Sequence, residues 1–174
     1  MAKKQKRGAV VSARALPNLH ARDRWFTAAK ILLTISPLIS LAYLQAAVMG
    51  SGLEISEMLT QNPELTVSFL ASMTGPFIAY LMKFVQKHLY DGDAAYAMTN
   101  LMLMTVAEAM LYNTFYFILM IVLMYFVFDM TGVHPIAAIR QKLHDHFWRD
   151  ISGSIFLLIL SAFCMFVSMR LGMR

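Results

Sequence analysis

The stretch LMLMTVAEAMLYNTFYFILMIVLMYFVF, residues 101–128, decides the class of fold. It holds one charged side chain, Glu108, and is longer than the roughly 20 apolar residues that a helix needs to cross a bilayer. Lipid offers the backbone no hydrogen-bond partner, and the strict alternation of a barrel strand is absent from the segment, so it must be helical. We therefore expect an all-α, polytopic integral membrane protein.

Three further apolar segments of similar length accompany it, at residues 26–49, 65–82 and 151–169. Hydrophobic residues make up 59% of the 174 residues and charged ones 14%, whereas about 45–50% of a soluble domain is apolar. This composition excludes a soluble globular domain and predicts a four-helix membrane domain over residues 26–174. A cleaved signal peptide is the alternative for the first segment, but its apolar run exceeds the roughly 7–15 residues typical of such peptides.

Positive charge is concentrated before the first span, in a basic tail over residues 1–25. Lys and Arg fall at positions 3, 4, 6, 7, 14, 22 and 24, whereas residues 50–64 hold three glutamates and no Lys or Arg. Basic segments stay in the cytoplasm, so four spans predict that both termini are cytoplasmic. The basic residues of the last loop, Arg140, Lys142 and Arg149, would then lie outside, which is the weakest part of this topology. A bacterial cytoplasmic membrane is the expected location.

Glu108 is the most informative single residue, because an intramembrane carboxyl group is costly and often functional. Thr105 and Tyr112 share its helical face at i−3 and i+4. Asn113 follows five residues later, roughly 140° around a helix, so Glu108 and Asn113 cannot serve one site unless the helix unwinds. Glu108 indicates proton or cation coupling, or else a position near the cytoplasmic interface. For Asn113 an interhelical hydrogen bond is the favoured interpretation over ligand binding.

Small residues mark a packing face in the second span, where Ala71, Gly75 and Ala79 recur every four positions. This spacing lets helix backbones approach closely, and the partner helix can belong to the same chain or to another subunit. Pro37 and Pro76 lie in mid-span and predict helix kinks. Paired interrupted helices occur in transporters, although packing alone also explains such kinks.

Three residues are expected to anchor the chain at the membrane interface: Trp25, Lys30 and Trp148. A Lys30–Glu108 ion pair is the alternative for Lys30. Residues 134–150 combine a proline at the first turn with apolar residues at helical spacing. They predict an interfacial amphipathic helix before the last span.

Motifs for metal binding and catalysis are missing from the sequence. The His and Asp residues near positions 88–93 and 134–150 lack helical chelate spacing, and the single cysteine, Cys164, can form no intrachain disulfide. We expect no cofactor, no metal and no enzymatic activity. The basic tail is predicted to contact acidic lipid headgroups and not nucleic acid.

Two functions fit these features. The leading interpretation is a non-enzymatic membrane subunit that anchors, stabilises or regulates a larger complex. The alternative is a small ion- or proton-coupled transporter or channel that works as a homo-oligomer, with Glu108 as its intramembrane carboxylate.

Overall fold

The computed structural model describes residues 19–52, 54–142 and 147–172, and its regular structure there is entirely helical. Four of these helical stretches are long and apolar enough to cross a membrane: Asp23–Ser51, Leu65–Tyr90, Thr114–Thr131 and Ile151–Arg170. The helices are α1 (Leu19–Ser51), α2 (Ile55–Gln61), α3 (Pro63–Met73), α4 (Gly75–Tyr90), α5 (Ala94–Met110), α6 (Thr114–Thr131), α7 (Pro135–Lys142) and α8 (Phe147–Gly172). The predicted all-α class with membrane-spanning helices is confirmed.

The two mid-span prolines have different effects on their helices. The second span changes helix at Thr74, whose hydroxyl donates to the Ala71 carbonyl oxygen at 2.7 Å, and Pro76 lies in the first turn of α4. Proline is tolerated at that position because the first helical N–H groups have no intrahelical acceptor. In contrast, α1 continues without a break through Pro37.

The predicted third span is not one helix, and the expectation of a continuous helix over residues 101–128 is wrong. Helix α5 ends at Met110 and α6 begins at Thr114. Between them Tyr112 takes a left-handed backbone conformation, φ 55°, and α5 and α6 pack against each other as a hairpin. An uninterrupted apolar run does not distinguish one long helix from two short ones, so hydropathy alone could not predict this turn.

Contacts between helices establish the direction of each pass. The Tyr90 hydroxyl donates to Asp23 at 2.6 Å, so the end of α4 lies beside the start of α1. The Ser154 hydroxyl donates to Asn100 Oδ1 at 2.6 Å, so α8 starts where α5 starts. We call this end of the bundle, with the start of α1 and the end of α4, the proximal end, and the opposite end, with α2 and the end of α1, the distal end.

Helix α5 forms the centre of the bundle. It contacts α4, α6, α7 and α8, and Leu101 and Met104 on it have no exposed surface. Helix α1 begins at the proximal end, and α8, which runs beside α5 in the same direction, finishes at the distal end.

The chain between α6 and α8 lies at the proximal end. Helix α7 packs on α5 with Ala138 fully buried, while Ile136 is 79% exposed. Within the predicted helix over residues 134–150, the structure describes α7 over Pro135–Lys142 and the start of α8 from Phe147. Residues 143–146 lie outside the described residues.

Candidate functional site

The predicted small-residue face holds α3 and α4 against α1 of the same chain. Ala71 and Ala79 are 8% and 4% exposed. A Cβ atom at Gly75 would lie 2.3 Å from Ser36 Oγ and 2.4 Å from the Leu33 carbonyl oxygen. The backbones of α1 and α4 are therefore as close as a glycine permits.

This close approach brings polar groups of two spans together. The Ser36 hydroxyl contacts the Ser72 carbonyl oxygen at 3.0 Å and the Leu33 carbonyl oxygen, also at 3.0 Å. Both serine side chains are buried. Ser36 therefore links α1 to α3 beside the chain break at Thr74.

A cavity of about 260 Å³ with polar and apolar surface adjoins this link, at the tip of the α5–α6 hairpin. Four serines, two tyrosines and an asparagine form most of its wall. The lining residues are Ser36, Ile39, Ser40, Ser68, Ser72, Leu111, Tyr112, Asn113 and Tyr116. Non-helical backbone within a membrane is tolerated where it is buried in protein or lines a cavity, and residues 111–113 meet that condition.

Glu108 lies behind the Asn113 wall of the cavity. Its side chain is 1% exposed and is hydrogen-bonded to the side chain of Asn113. The chain turns after Met110, which brings the Asn113 backbone N–H to the Glu108 carbonyl oxygen at 3.2 Å. The helix is interrupted between Glu108 and Asn113, so these two residues can belong to one site.

One oxygen of this carboxyl group lacks a partner. Glu108 Oε2 is buried and accepts no hydrogen bond from the part of the chain that the structure describes. An unsatisfied buried polar atom is unfavourable in a folded protein and is often associated with function. Glu108 is thus the least satisfied acidic group of the bundle core.

The two other predicted members of this site, Thr105 and Tyr112, lie in different surroundings. The Thr105 hydroxyl donates to the Leu101 carbonyl oxygen at 2.7 Å, so it is engaged within its own helix. Tyr112 lines the cavity and is 67% exposed. The structure thus brings Glu108, Asn113 and Tyr112 to one region through the turn after Met110, whereas Thr105 does not line the cavity.

Lys30 does not approach Glu108. Its ammonium group donates to Gln86 Oε1 at 2.5 Å, and Gln86 in turn donates to Asp23. These contacts lie at the proximal end, whereas Glu108 lies near the hairpin tip. The alternative of a Lys30–Glu108 ion pair is therefore wrong.

The two tryptophans predicted as anchors differ in what the structure describes. Trp25 is 49% exposed, at the proximal end of α1, with its ring 5.9 Å from that of Phe126. The side chain of Trp148 lies outside the described residues.

Sequence reasoning missed the serines of the cavity wall and Tyr116. The Tyr116 hydroxyl donates to the Leu32 carbonyl oxygen at 3.1 Å and also contacts Ser36. A signal was present, because serines recur at i, i+4 in both spans: Ser36 and Ser40 in α1, Ser68 and Ser72 in α3. Such pairs share one helix face, and here both faces meet.

The side chains that line the cavity are uncharged. Hydroxyl and amide groups line it, and the lining set contains no Lys or Arg. The C-terminal end of α5, which carries partial negative charge, also points to the cavity. Hydroxyl and amide groups both donate and accept hydrogen bonds, so the lining can hold water molecules and can coordinate a small cation through its oxygen atoms.

Comparison with models of known protein families, with curated proteins and with solved structures found no match for the chain. Among the described residues, no group of three or more His, Cys, Asp and Glu side chains could hold a metal ion. Glu108 and the adjoining cavity are therefore the features of the structure that bear on function.

Proposed function

We propose that the protein is a non-enzymatic, ion- or proton-coupled membrane protein, a small transporter or channel, in which Glu108 takes up a proton or a small monovalent cation. The observation that carries the proposal is the burial of Glu108 to 1% exposure with one carboxyl oxygen unpartnered. Lys30, the cationic partner considered from the sequence, is bonded to Gln86 and not to Glu108.

The electrostatic cost of burying Glu108 is the reason for expecting it to bind a proton or a cation. An ionised carboxylate in a low-dielectric interior costs several kcal/mol unless another charge compensates it. Glu108 is therefore stable when it carries a proton or holds a cation, and unstable when it carries neither. Whether Glu108 carries a proton or a cation therefore depends on the ions present in the cavity, and ion-coupled transport requires such a dependence.

The serine-lined cavity gives Glu108 a polar neighbourhood on the distal side. Its volume of about 260 Å³ accommodates several water molecules, each of which occupies about 30 Å³ in the liquid. Asn113 lies between this space and the carboxyl group and touches both. An ion reaching Glu108 from the cavity would pass this amide.

The proposal is tested by flux into liposomes that contain the purified chain. A potassium gradient with valinomycin sets the membrane potential, and an internal dye reports pH, with Na⁺ and K⁺ varied outside. Glu108→Gln preserves shape but removes the titratable group, so we expect flux to fall to the level of empty liposomes. Glu57→Gln is the matched control, because Glu57 is exposed on α2. Equal flux in Glu108→Gln and in the unsubstituted protein would refute the proposal.

A membrane subunit of a larger complex is the second candidate. The observation that favours it is the uncovered distal half of α1, where Leu38, Tyr43 and Met49 are 64%, 64% and 84% exposed. The tip of the α5–α6 hairpin reaches the level of Ile39 and Ser40, so fewer helices of the chain surround α1 beyond that point. Lipid or a helix of another subunit can cover such a face.

Native mass spectrometry of the gently extracted, tagged protein tests the subunit function. A different polypeptide present at fixed stoichiometry, and lost when Leu38 and Tyr43 are replaced by Ala, would support it. Homo-oligomers alone would favour the transporter. Glu108→Gln should leave the partner bound, since Glu108 is buried.

For the orientation, we propose that the N-terminus is cytoplasmic and that the C-terminus lies on the other side of a bacterial cytoplasmic membrane. We infer that α5, with 17 residues, crosses the membrane in addition to the four longer stretches, and five crossings place the two termini on opposite sides, in contrast to the expectation that both are cytoplasmic. The exposed Lys83, Lys87 and Arg140 lie toward the proximal end, on the side of the basic tail. This agrees with the preference of Lys and Arg for the cytoplasm. The basic residues of the last loop then no longer lie outside. The proximal end then faces acidic lipid headgroups, with α7 at the interface.

A further inference from the structure

We propose that an enclosed water molecule joins Glu108 Oε2 to Ser161 Oγ across the interface of α5 and α8, so that Ser161 is the second polar contact of the Glu108 site. This inference deepens the proposed function, because it names a residue and a bound water for the same carboxyl group.

The register of the two helices places Ser161 at the level of Glu108. The Ser154–Asn100 hydrogen bond of 2.6 Å fixes one point at which α8 and α5 lie side by side, and the two helices run in the same direction. Seven residues later, about 10 Å along each axis, both helices return to nearly the same face. Ser161 then lies opposite Ala107, the residue before Glu108.

Both atoms are buried and lack a partner in the described parts of the chain. Ser161 is 0% exposed and Glu108 1% exposed, and Ser161 Oγ and Glu108 Oε2 make no hydrogen bond to the described residues. Ala107 is also fully buried, and its side chain ends at Cβ, so it fills little of the space between them. A buried water needs two to four polar partners, and these two atoms supply the first two.

The water gives the site a second hydrogen-bonding direction. With Glu108 protonated, Oε2–H donates to the water, which donates to Ser161 Oγ. With Glu108 ionised, the water donates to Oε2 and accepts from the Ser161 hydroxyl. Ser161 can serve in both states because a hydroxyl both donates and accepts. It is a positioning residue that acts on Glu108 through the water.

Infrared difference spectroscopy of the full-length chain in lipid tests the proposal. Glu108→Gln identifies the carboxyl band of Glu108, because this band is absent from that variant. The band is the C=O stretch if Glu108 is protonated and the carboxylate stretch if it is ionised. Ser161→Ala takes away one partner of the water, so we expect this band to shift in the direction of weaker hydrogen bonding. A structural role alone would change stability without moving the band.

Thr99→Val is the matched control. Thr99 Oγ1 is also buried and unpartnered in the described structure, but it lies nine residues before Glu108 on α5, about 14 Å along the axis. The Glu108 band should not move in this variant.

Two results would overturn the inference: an unchanged band in folded Ser161→Ala, or an equal shift in Thr99→Val. If Ser161→Ala does not fold, Ser161→Cys keeps the size of the side chain, weakens its hydrogen bonding and is judged by the same criterion. The band is read without transport, so a Glu108→Gln variant with undiminished flux would refute the proposed function alone.

Discussion

Gly75→Ala tests the packing on which the site depends. The added Cβ atom would lie 2.4 Å from the Leu33 carbonyl oxygen and 2.3 Å from Ser36 Oγ. The serine side chain can rotate, but the carbonyl oxygen belongs to the backbone of α1 and cannot. Helix α1 must therefore move away from α4 by about 1 Å to restore van der Waals separation.

The structure gives the size of the effect. Overpacking of this kind costs about 1–3 kcal/mol, and the displaced Ser36–Ser72 hydrogen bond adds about 0.6 kcal/mol. Alanine returns about 0.8–1 kcal/mol through its higher helix propensity. We expect the free energy of unfolding to fall by about 1–3 kcal/mol, which is roughly a 5- to 150-fold change in the unfolding equilibrium.

Reversible unfolding in mixed micelles of dodecyl maltoside and sodium dodecyl sulfate measures this change. Gly50→Ala is the first control, because a Cβ there meets nothing within 4 Å, and it should be neutral or slightly stabilising. Gly153→Ala is the second, since its Cβ meets the flexible end of Leu81 at 2.5 Å, and it should cost less than Gly75→Ala. A Gly75→Ala protein as stable as Gly50→Ala would refute the close approach of α1 and α4.

Three further predictions concern the hairpin, the α5–α8 contact and the topology. Tyr112→Gly should raise the free energy of unfolding by up to about 1 kcal/mol in the same micelles, because tyrosine is strained at φ 55°; a loss of more than 1 kcal/mol would contradict this conformation. A double-mutant cycle of Asn100→Ala and Ser154→Ala should give a coupling of about 0.6 to 1.7 kcal/mol, and zero coupling would contradict their hydrogen bond. Alkaline phosphatase fused after Arg174 should be active and a green fluorescent protein fusion there dark in a bacterial host; the reverse pattern would place the C-terminus in the cytoplasm.

The sequence predicted the helical membrane class because hydropathy depends only on composition over a window. It also identified Glu108, since a charged residue stands out in an apolar run. It could not predict the hairpin, because the apolar residues around Leu111 and Tyr112 are compatible with a continuous helix. In the proposed topology the hairpin adds α5 as a separate crossing, and this moves the proposed position of the C-terminus to the other side.

The chain reversal and the site have one cause. In a continuous helix Asn113 would point about 140° away from Glu108, and the carboxyl group would lack this amide. The left-handed residue at 112 ends α5, returns Asn113 to Glu108, and directs residues 111–113 to the serines that the Gly75 contact holds in place. The turn at Tyr112, the close contact of α1 and α4 at Gly75 and the buried Glu108 are therefore parts of one arrangement. A substitution that straightens the turn should remove the site, although every apolar span in the sequence would stay intact.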